Sequence, residues 1–147
     1  MRSGSLYRAC ATLAVLLAIV GGCSEKPPSR DHIPALRNVL YRLQVAVREQ
    51  NRAAIDSLLS NQAVSTRQSS DSLLTFIYFF GDKYFPFERF GDYDIAYTED
   101  RARIDCYIMD STGRADRPVT FTFALEHDLW LLKQFEVRRD RIVDTAQ

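Results

Sequence analysis

YDIAYTEDRARIDCYIM, residues 93 to 109, decides the fold. Tyr93, Ile95 and Tyr97 alternate with Asp94, Ala96 and Thr98, and after Glu99-Asp100 the alternation resumes. There Ala102, Ile104, Cys106 and Ile108 interleave with Arg103, Asp105, Tyr107 and Met109. A period of two sends each set to its own side of a strand, so the stretch reads as two strands joined by a tight turn. The pattern continues downstream. Val119, Phe121, Phe123 and Leu125 alternate with Thr120, Thr122 and Ala124, and residues 130–137 form a last run, apolar on both faces. A polar loop at 110–118 and the pair His127-Asp128 separate these runs, and consecutive strands with short links form an antiparallel meander.

Upstream the period changes from 2 to 3.6. Ile33, Leu36, Val39, Leu40, Leu43 and Val47 recur at helical spacing, with Asp31 placed to cap the start and Pro34 tolerated in the first turn. Asn51 reads as the N-cap of a short helix RAAIDSLLS, with Ile55, Leu58 and Leu59 as its apolar stripe. A third helix is expected over residues 70–80, capped by Ser70 and ended by Gly81. Helices gathered before a meander make the class α+β, with N-terminal helices packed on a curved antiparallel sheet.

Composition sets the outer limits. The 147 residues are 46% hydrophobic and 26% charged, which suits one globular domain, and the 19 basic and 19 acidic residues cancel. No basic face argues for nucleic acid.

Residues 1–22 read as an export signal. Arg2 and Arg8 are followed by the twelve-residue apolar run ACATLAVLLAIV, then Gly21, Gly22 and Cys23. As a helix that run reaches roughly 18 Å, short of the ~30 Å hydrocarbon core. VGGC at 20–23 resembles the lipobox of bacterial lipoproteins. The resemblance implies cleavage before Cys23, a diacylglycerol on its thiol and an acyl chain on the new amine. These are the covalent groups expected, with no further cofactor. Cys10 would leave with the signal and Cys23 would carry lipid, leaving Cys106 alone, so no internal disulfide is expected. Without Arg2 and Arg8 the charge becomes 17 basic against 19 acidic, so acyl chains rather than electrostatics would hold the membrane. SEKPPSRD at 24–31 reads as a tether of at most ~25 Å. Ser24 in the second mature position resembles the outer-membrane sorting pattern, which implies the periplasmic face of the outer membrane; the inner membrane and the cell surface are the alternatives. The division expected is signal peptide 1–22, lipidated Cys23 and tether 23–31, one α+β domain 32–143 and a frayed tail 144–147.

The order of elements, from RLQVAVREQN through RAAIDSLLS and a third helix to a meander closing on WLLKQFEV, resembles the nuclear transport factor 2-like superfamily. The resemblance implies a cone-shaped fold in which the sheet wraps the helices. A cystatin-like sheet wrapped on one long helix is the competing architecture.

Chemistry-bearing motifs are few. His32 and His127 are the chain's two histidines, and no HExxH, CxxC, GxSxG or phosphate-binding glycine loop occurs. Relatives implied by the second resemblance, ketosteroid isomerases and polyketide cyclases, use a carboxylate or histidine inside the cone. Asp105, with Arg103 and Tyr107 on its strand face, is the residue that could serve as a base, supported by Tyr107. The simpler reading puts all three on the solvent side as ion-pair partners. Cys106 reads as an inert core thiol.

Aromatic density is the unusual feature. FIYFFGDKYFPFERFGDYDIAY, residues 76–97, holds ten of the seventeen Phe, Tyr and Trp residues. A helix or strand buries about half its positions, so some of these rings must line a pocket, meet a partner or lie near a membrane. Phe76, Phe80, Phe85, Phe87, Tyr93 and Tyr97 are the candidates, with Phe85-Pro86-Phe87 as the membrane-dipping tip. RRDR at 138–141 could bind phosphate or an acidic partner, but Asp140 and Asp144 dilute it. The expected function is a membrane-anchored, non-catalytic envelope module that binds an apolar small molecule or another envelope protein. An accessory subunit of an envelope assembly complex and an isomerase or cyclase are the alternatives.

Overall fold

The computed structural model describes residues 31–65 and 68–138. The expected signal, the VGGC stretch with Cys23, the expected tether before Asp31, Arg139 to Arg141 and the expected tail lie outside them. No helix among the described residues is long and apolar enough to cross a membrane.

Helix α1 (Ile33–Arg48) forms where the 3.6 period places it, burying Leu36, Val39, Leu40, Leu43, Ala46 and Val47. The N-cap position is His32, whose side chain makes no capping bond, and Asp31 one residue earlier accepts from the Ile33 N–H through Oδ1 at 3.0 Å. Asn51 caps α2 (Arg52–Asp56) through the Ala54 N–H at 3.1 Å. That helix stops well short of the expected RAAIDSLLS. Leu58–Ser60 instead run beside the last strand, with Leu59 bridged parallel to Leu132, and α3 (Asn61–Ser65) follows. The exchange is local helix hydrogen bonds for bonds to a sheet edge: Ser60 N–H donates to Leu132 O at 2.8 Å and Leu132 N–H to Leu58 O at 2.7 Å.

Helix α4 (Ser70–Tyr78) starts at Ser70, the residue expected to cap it, so the cap lies one residue earlier. Ser69 takes that position, because Ser69 and Ser72 satisfy each other's backbone N–H in a capping box, and Ser70 is buried in the first turn. The helix also ends early. Phe79 and Phe80 leave it as β1 (Phe79–Phe80), pairing with β2 (Lys83–Tyr84). Gly81 is therefore a hairpin residue and not a helix stop, and its φ of +58° suits the first central position of a two-residue loop.

The meander follows: β3 (Arg89–Tyr97), β4 (Arg101–Met109), β5 (Ala115–Glu126) and β6 (Leu129–Val137), in that spatial order and antiparallel throughout. The sheet is open, with β3 and β6 as edges. β3 begins four residues before the expected Tyr93, and a bulge between Gly91 and Asp94 hides its alternation. The polar loop closes by Arg114, so residues 115–118 belong to β5.

One face of the sheet carries Ile104, Ile108, Val119, Phe121, Phe123 and Leu132, all fully buried with Leu36, Leu43, Ile55, Leu73 and Ile77 of the helices. The structure is α+β, with helices on one face of a four-stranded antiparallel meander. Gly91 lies directly against the Met109 side chain. A Cβ there would overlap Met109 Sδ, with Cε at 2.9 Å, and Met109 is itself buried. Gly91→Ala is expected to cost about 1–2 kcal/mol in chemical denaturation, and less in a Met109→Ala background where the overlap is gone.

Candidate functional site

The aromatic segment divides by burial. Phe85, Phe87 and Phe90 are core side chains, each 5% exposed, and Phe76 is half-buried against Phe135. Phe85-Pro86-Phe87 is thus no membrane-dipping tip, because both rings point inward. Phe79, Phe80 and Tyr84 are 48%, 63% and 60% exposed, and all three belong to the β1–β2 hairpin. Tyr93 and Tyr97, on β3, are also exposed, at 45% and 39%, and Tyr97 meets the ring of His32 edge-on at 5.7 Å.

The hairpin is propped from within. Tyr84 stacks on Tyr78 at 5.9 Å and meets Phe79 edge-on at 5.6 Å. The Tyr78 hydroxyl is buried and donates to Val47 O at 3.1 Å, at the end of α1. Burial, with the Tyr84 hydroxyl nearby, pushes the Tyr78 pKa above its ordinary value.

Beneath the hairpin lies Arg117. Its side chain is 7% exposed, and Nη2 donates to the carbonyls of Phe76, Ile77 and Phe79 at the unsatisfied end of α4. The guanidinium also faces the rings of Phe76 at 5.6 Å and Phe80 at 5.2 Å, and Nη1 pairs with Asp116 at 2.9 Å. Burial lowers the Arg117 pKa while Asp116 opposes that shift, and guanidinium stays charged at any physiological pH. Sequence reading placed Arg117 in a polar loop. Its phase with Val119, Phe121 and Phe123 was the signal that it points inward.

Two open clefts flank the hairpin. One, of about 300 Å³, runs between Phe80, Lys83, Tyr84, Phe85 and the start of β5 at Arg114, Ala115 and Asp116. The other, of about 330 Å³, lies over Leu74, Thr75, Tyr78, Phe79 and Tyr84, rimmed by Gln50 and the Arg52–Asp71 ion pair at 2.5 Å.

Asp110 holds Arg114, which lines the first cleft. Its Oδ1 accepts from Thr112 Oγ1 at 2.6 Å, Thr112 N at 3.0 Å and Arg114 N at 2.9 Å, and Oδ2 pairs with Arg114 Nε at 3.3 Å. The Thr112 hydroxyl bond above all holds its carboxyl below the usual carboxylate range. A depressed carboxylate stabilises the fold above its unfolded-state pKa, and that contribution drains as pH falls through the folded value. Asp110→Asn is therefore expected to destabilise the domain at pH 7 and to flatten the acid limb of its stability profile below about pH 4, read by thermal unfolding at stepped pH.

The residues considered for catalysis lie elsewhere. Arg103, Asp105 and Tyr107 face outward on the sheet, opposite the core. Asp105 accepts from Thr120 Oγ1 at 2.5 Å and Arg103 Nε at 3.0 Å, and Arg138 donates to the Tyr107 hydroxyl at 3.0 Å while lying over its ring. These bonds occupy the carboxylate with protein partners on the face away from the helices. A polar cleft of about 520 Å³ lies on that face, among Arg103, Thr120, Thr122, Glu136 and Arg138. His32 is buried edge-on against Tyr97 and Trp130, and His127 is an exposed turn residue. Among the described residues no three His, Cys, Asp or Glu side chains are grouped to hold a metal. Cys106 is fully buried, and desolvation pushes its thiol up to about 12. Folded protein is expected to resist iodoacetamide at pH 8 and to react once unfolded, as read by intact mass.

The chain matches no family model, and no curated protein matches it.

Proposed function

We propose that the protein is a lipid-anchored module of the bacterial envelope that works without catalysis, by docking another envelope protein on its aromatic hairpin. The single observation that supports this reading is the exposure of Phe79, Phe80 and Tyr84 on one six-residue hairpin. Such aromatics are costly to leave in water and are enriched where proteins meet. A buried arginine and a stacked tyrosine hold them outward, so the surface is organised before a partner arrives.

The anchor is read from VGGC at 20–23, with Cys23 carrying the acyl chains and Ser24 favouring the outer membrane. The cone-shaped, nuclear transport factor 2-like architecture is part of the same proposal. It is supported by helices packed on one face of an open antiparallel meander. The interior between helices and sheet holds fully buried Phe121, Phe123, Leu43 and Ile77, which favours an external contact over an enclosed ligand.

Cross-linking from within the native cell tests the reading. A benzoylphenylalanine photoprobe at position 80 or 84 should give a discrete protein adduct. The same probe at position 41 on α1, where Tyr41 is equally exposed, should not. Equal adducts from all three positions, or none from the hairpin, would overturn it.

A further inference from the structure

α1 carries charge of one sign. Its sequence, IPALRNVLYRLQVAVR, includes Arg37, Arg42 and Arg48 and no Asp or Glu. A solvated basic helix ordinarily offsets its arginines with carboxylates three or four residues away, and α1 has none to offer. Arg48 meets Glu88 at 3.3 Å, but Arg37 and Arg42 make no ion pair among the described residues. The opposing acids stand at the margins. Asp31 and Glu49 flank the helix, and Asp128 shares a cleft with Arg42. The same face leaves Tyr41 63% exposed, while Leu36, Leu40 and Leu43 point the other way into the core. A tyrosine has an apolar body and a polar tip, the combination that sits at a headgroup boundary.

This face stands beside the expected anchor. Residues 24–31, between Cys23 and the helix, reach at most ~25 Å. Arg37 lies about 6 Å along the helix axis from Ile33 and Tyr41 about 12 Å. Reach alone does not separate the face from the hairpin at the other end of α1. Charge does. Around the hairpin Arg52 pairs with Asp71, Arg114 with Asp110 and Arg117 with Asp116, whereas α1 presents its first two arginines unpaired.

We infer that the outward face of α1, with Arg37, Tyr41 and Arg42, lies on the anionic lipid headgroups of the membrane that holds Cys23 and turns the far face of the sheet away from it. This rests on the proposed acylation of Cys23 and adds the orientation of the domain. An arginine near an anionic surface gains about fivefold in local binding, so two gain roughly thirtyfold. That is too little to hold a free domain and enough to choose which side of a tethered one meets lipid. The face orients the protein and does not attach it.

The test places the full lipidated chain in phosphatidylcholine vesicles with or without phosphatidylglycerol, carrying a benzoylphenylalanine probe at position 41 or 134. Gln134 is exposed on the far face of the sheet, in register with Thr122 and Arg103. The probe at 41 should form lipid adducts, read by intact mass, at least about tenfold more with phosphatidylglycerol than without, and added salt should suppress them. The probe at 134 should form none. Arg37→Glu combined with Arg42→Glu should cut the adduct at 41 at least about tenfold, while the chain stays acylated, vesicle-bound and unchanged in unfolding midpoint. Equal adducts at 41 and 134, or at 41 with and without phosphatidylglycerol, overturn the inference. So does a discrete protein adduct at 41 in native cells, which seats a different occupant on the helix. A wild-type chain that carries no acyl group overturns the anchor and this inference together; an anchored chain silent at 41 overturns this inference alone.

Discussion

Arg117→Met is expected to cost the domain about 3 kcal/mol, lowering its unfolding midpoint by roughly 10 °C. Methionine conserves the stem but removes the donor to three carbonyls at the end of α4. The Ile77 carbonyl would be left buried without this donor, and the part-buried Phe76 and Phe79 carbonyls would lose it too; an unmet buried acceptor costs more than the bond was worth when made. It also takes the ion-pair partner from Asp116 and removes the cation facing Phe76 and Phe80. Arg117→Lys should recover part of the loss, since one ammonium can serve carbonyls but cannot stack in the same plane. Urea unfolding of the three proteins measures this. A loss below about 1 kcal/mol for Arg117→Met would mean that the hairpin is not held by this side chain.

The second large effect concerns the anchor. Cys23→Ala is expected to abolish incorporation of labelled palmitate and to move the protein out of the membrane fraction. The physical reason is additive: each buried methylene contributes about 0.8 kcal/mol, so two or three acyl chains hold firmly where one is marginal. If the signal is removed as proposed, 17 basic against 19 acidic residues would offer no second attachment to anionic lipid. Palmitate labelling that persists unchanged in Cys23→Ala would contradict the lipobox reading.

The long elements were legible because their side chains repeat. Leu36, Val39, Leu40, Leu43 and Val47 mark one helix face, and Ala102, Ile104, Cys106 and Ile108 one strand face, and all of them are buried. Legibility failed where tertiary hydrogen bonds overrode local preference. Leu58–Ser60 gave up their helix for the edge of β6, and Phe79-Phe80 gave up theirs for Lys83-Tyr84. At the site, the aromatic run was visible as a surplus, but the choice between Phe80, which is exposed, and Phe85 and Phe87, which are buried, was not. Both sets are phenylalanines within eight residues, and only the hairpin turn at Gly81 separates them. Arg117 was missed because a lone arginine beside Asp116 and Pro118 looks like loop.

Native mass spectrometry of the full chain, extracted in mild detergent from its own cells, tests the central claim most directly. Wild-type protein should carry a second polypeptide in fixed ratio. The Phe80→Ser, Tyr84→Ser double variant should remain folded, keep its acyl chains and lose that polypeptide. A small bound molecule retained by both, or a polypeptide retained equally by the variant, would place the function away from the hairpin and contradict the account.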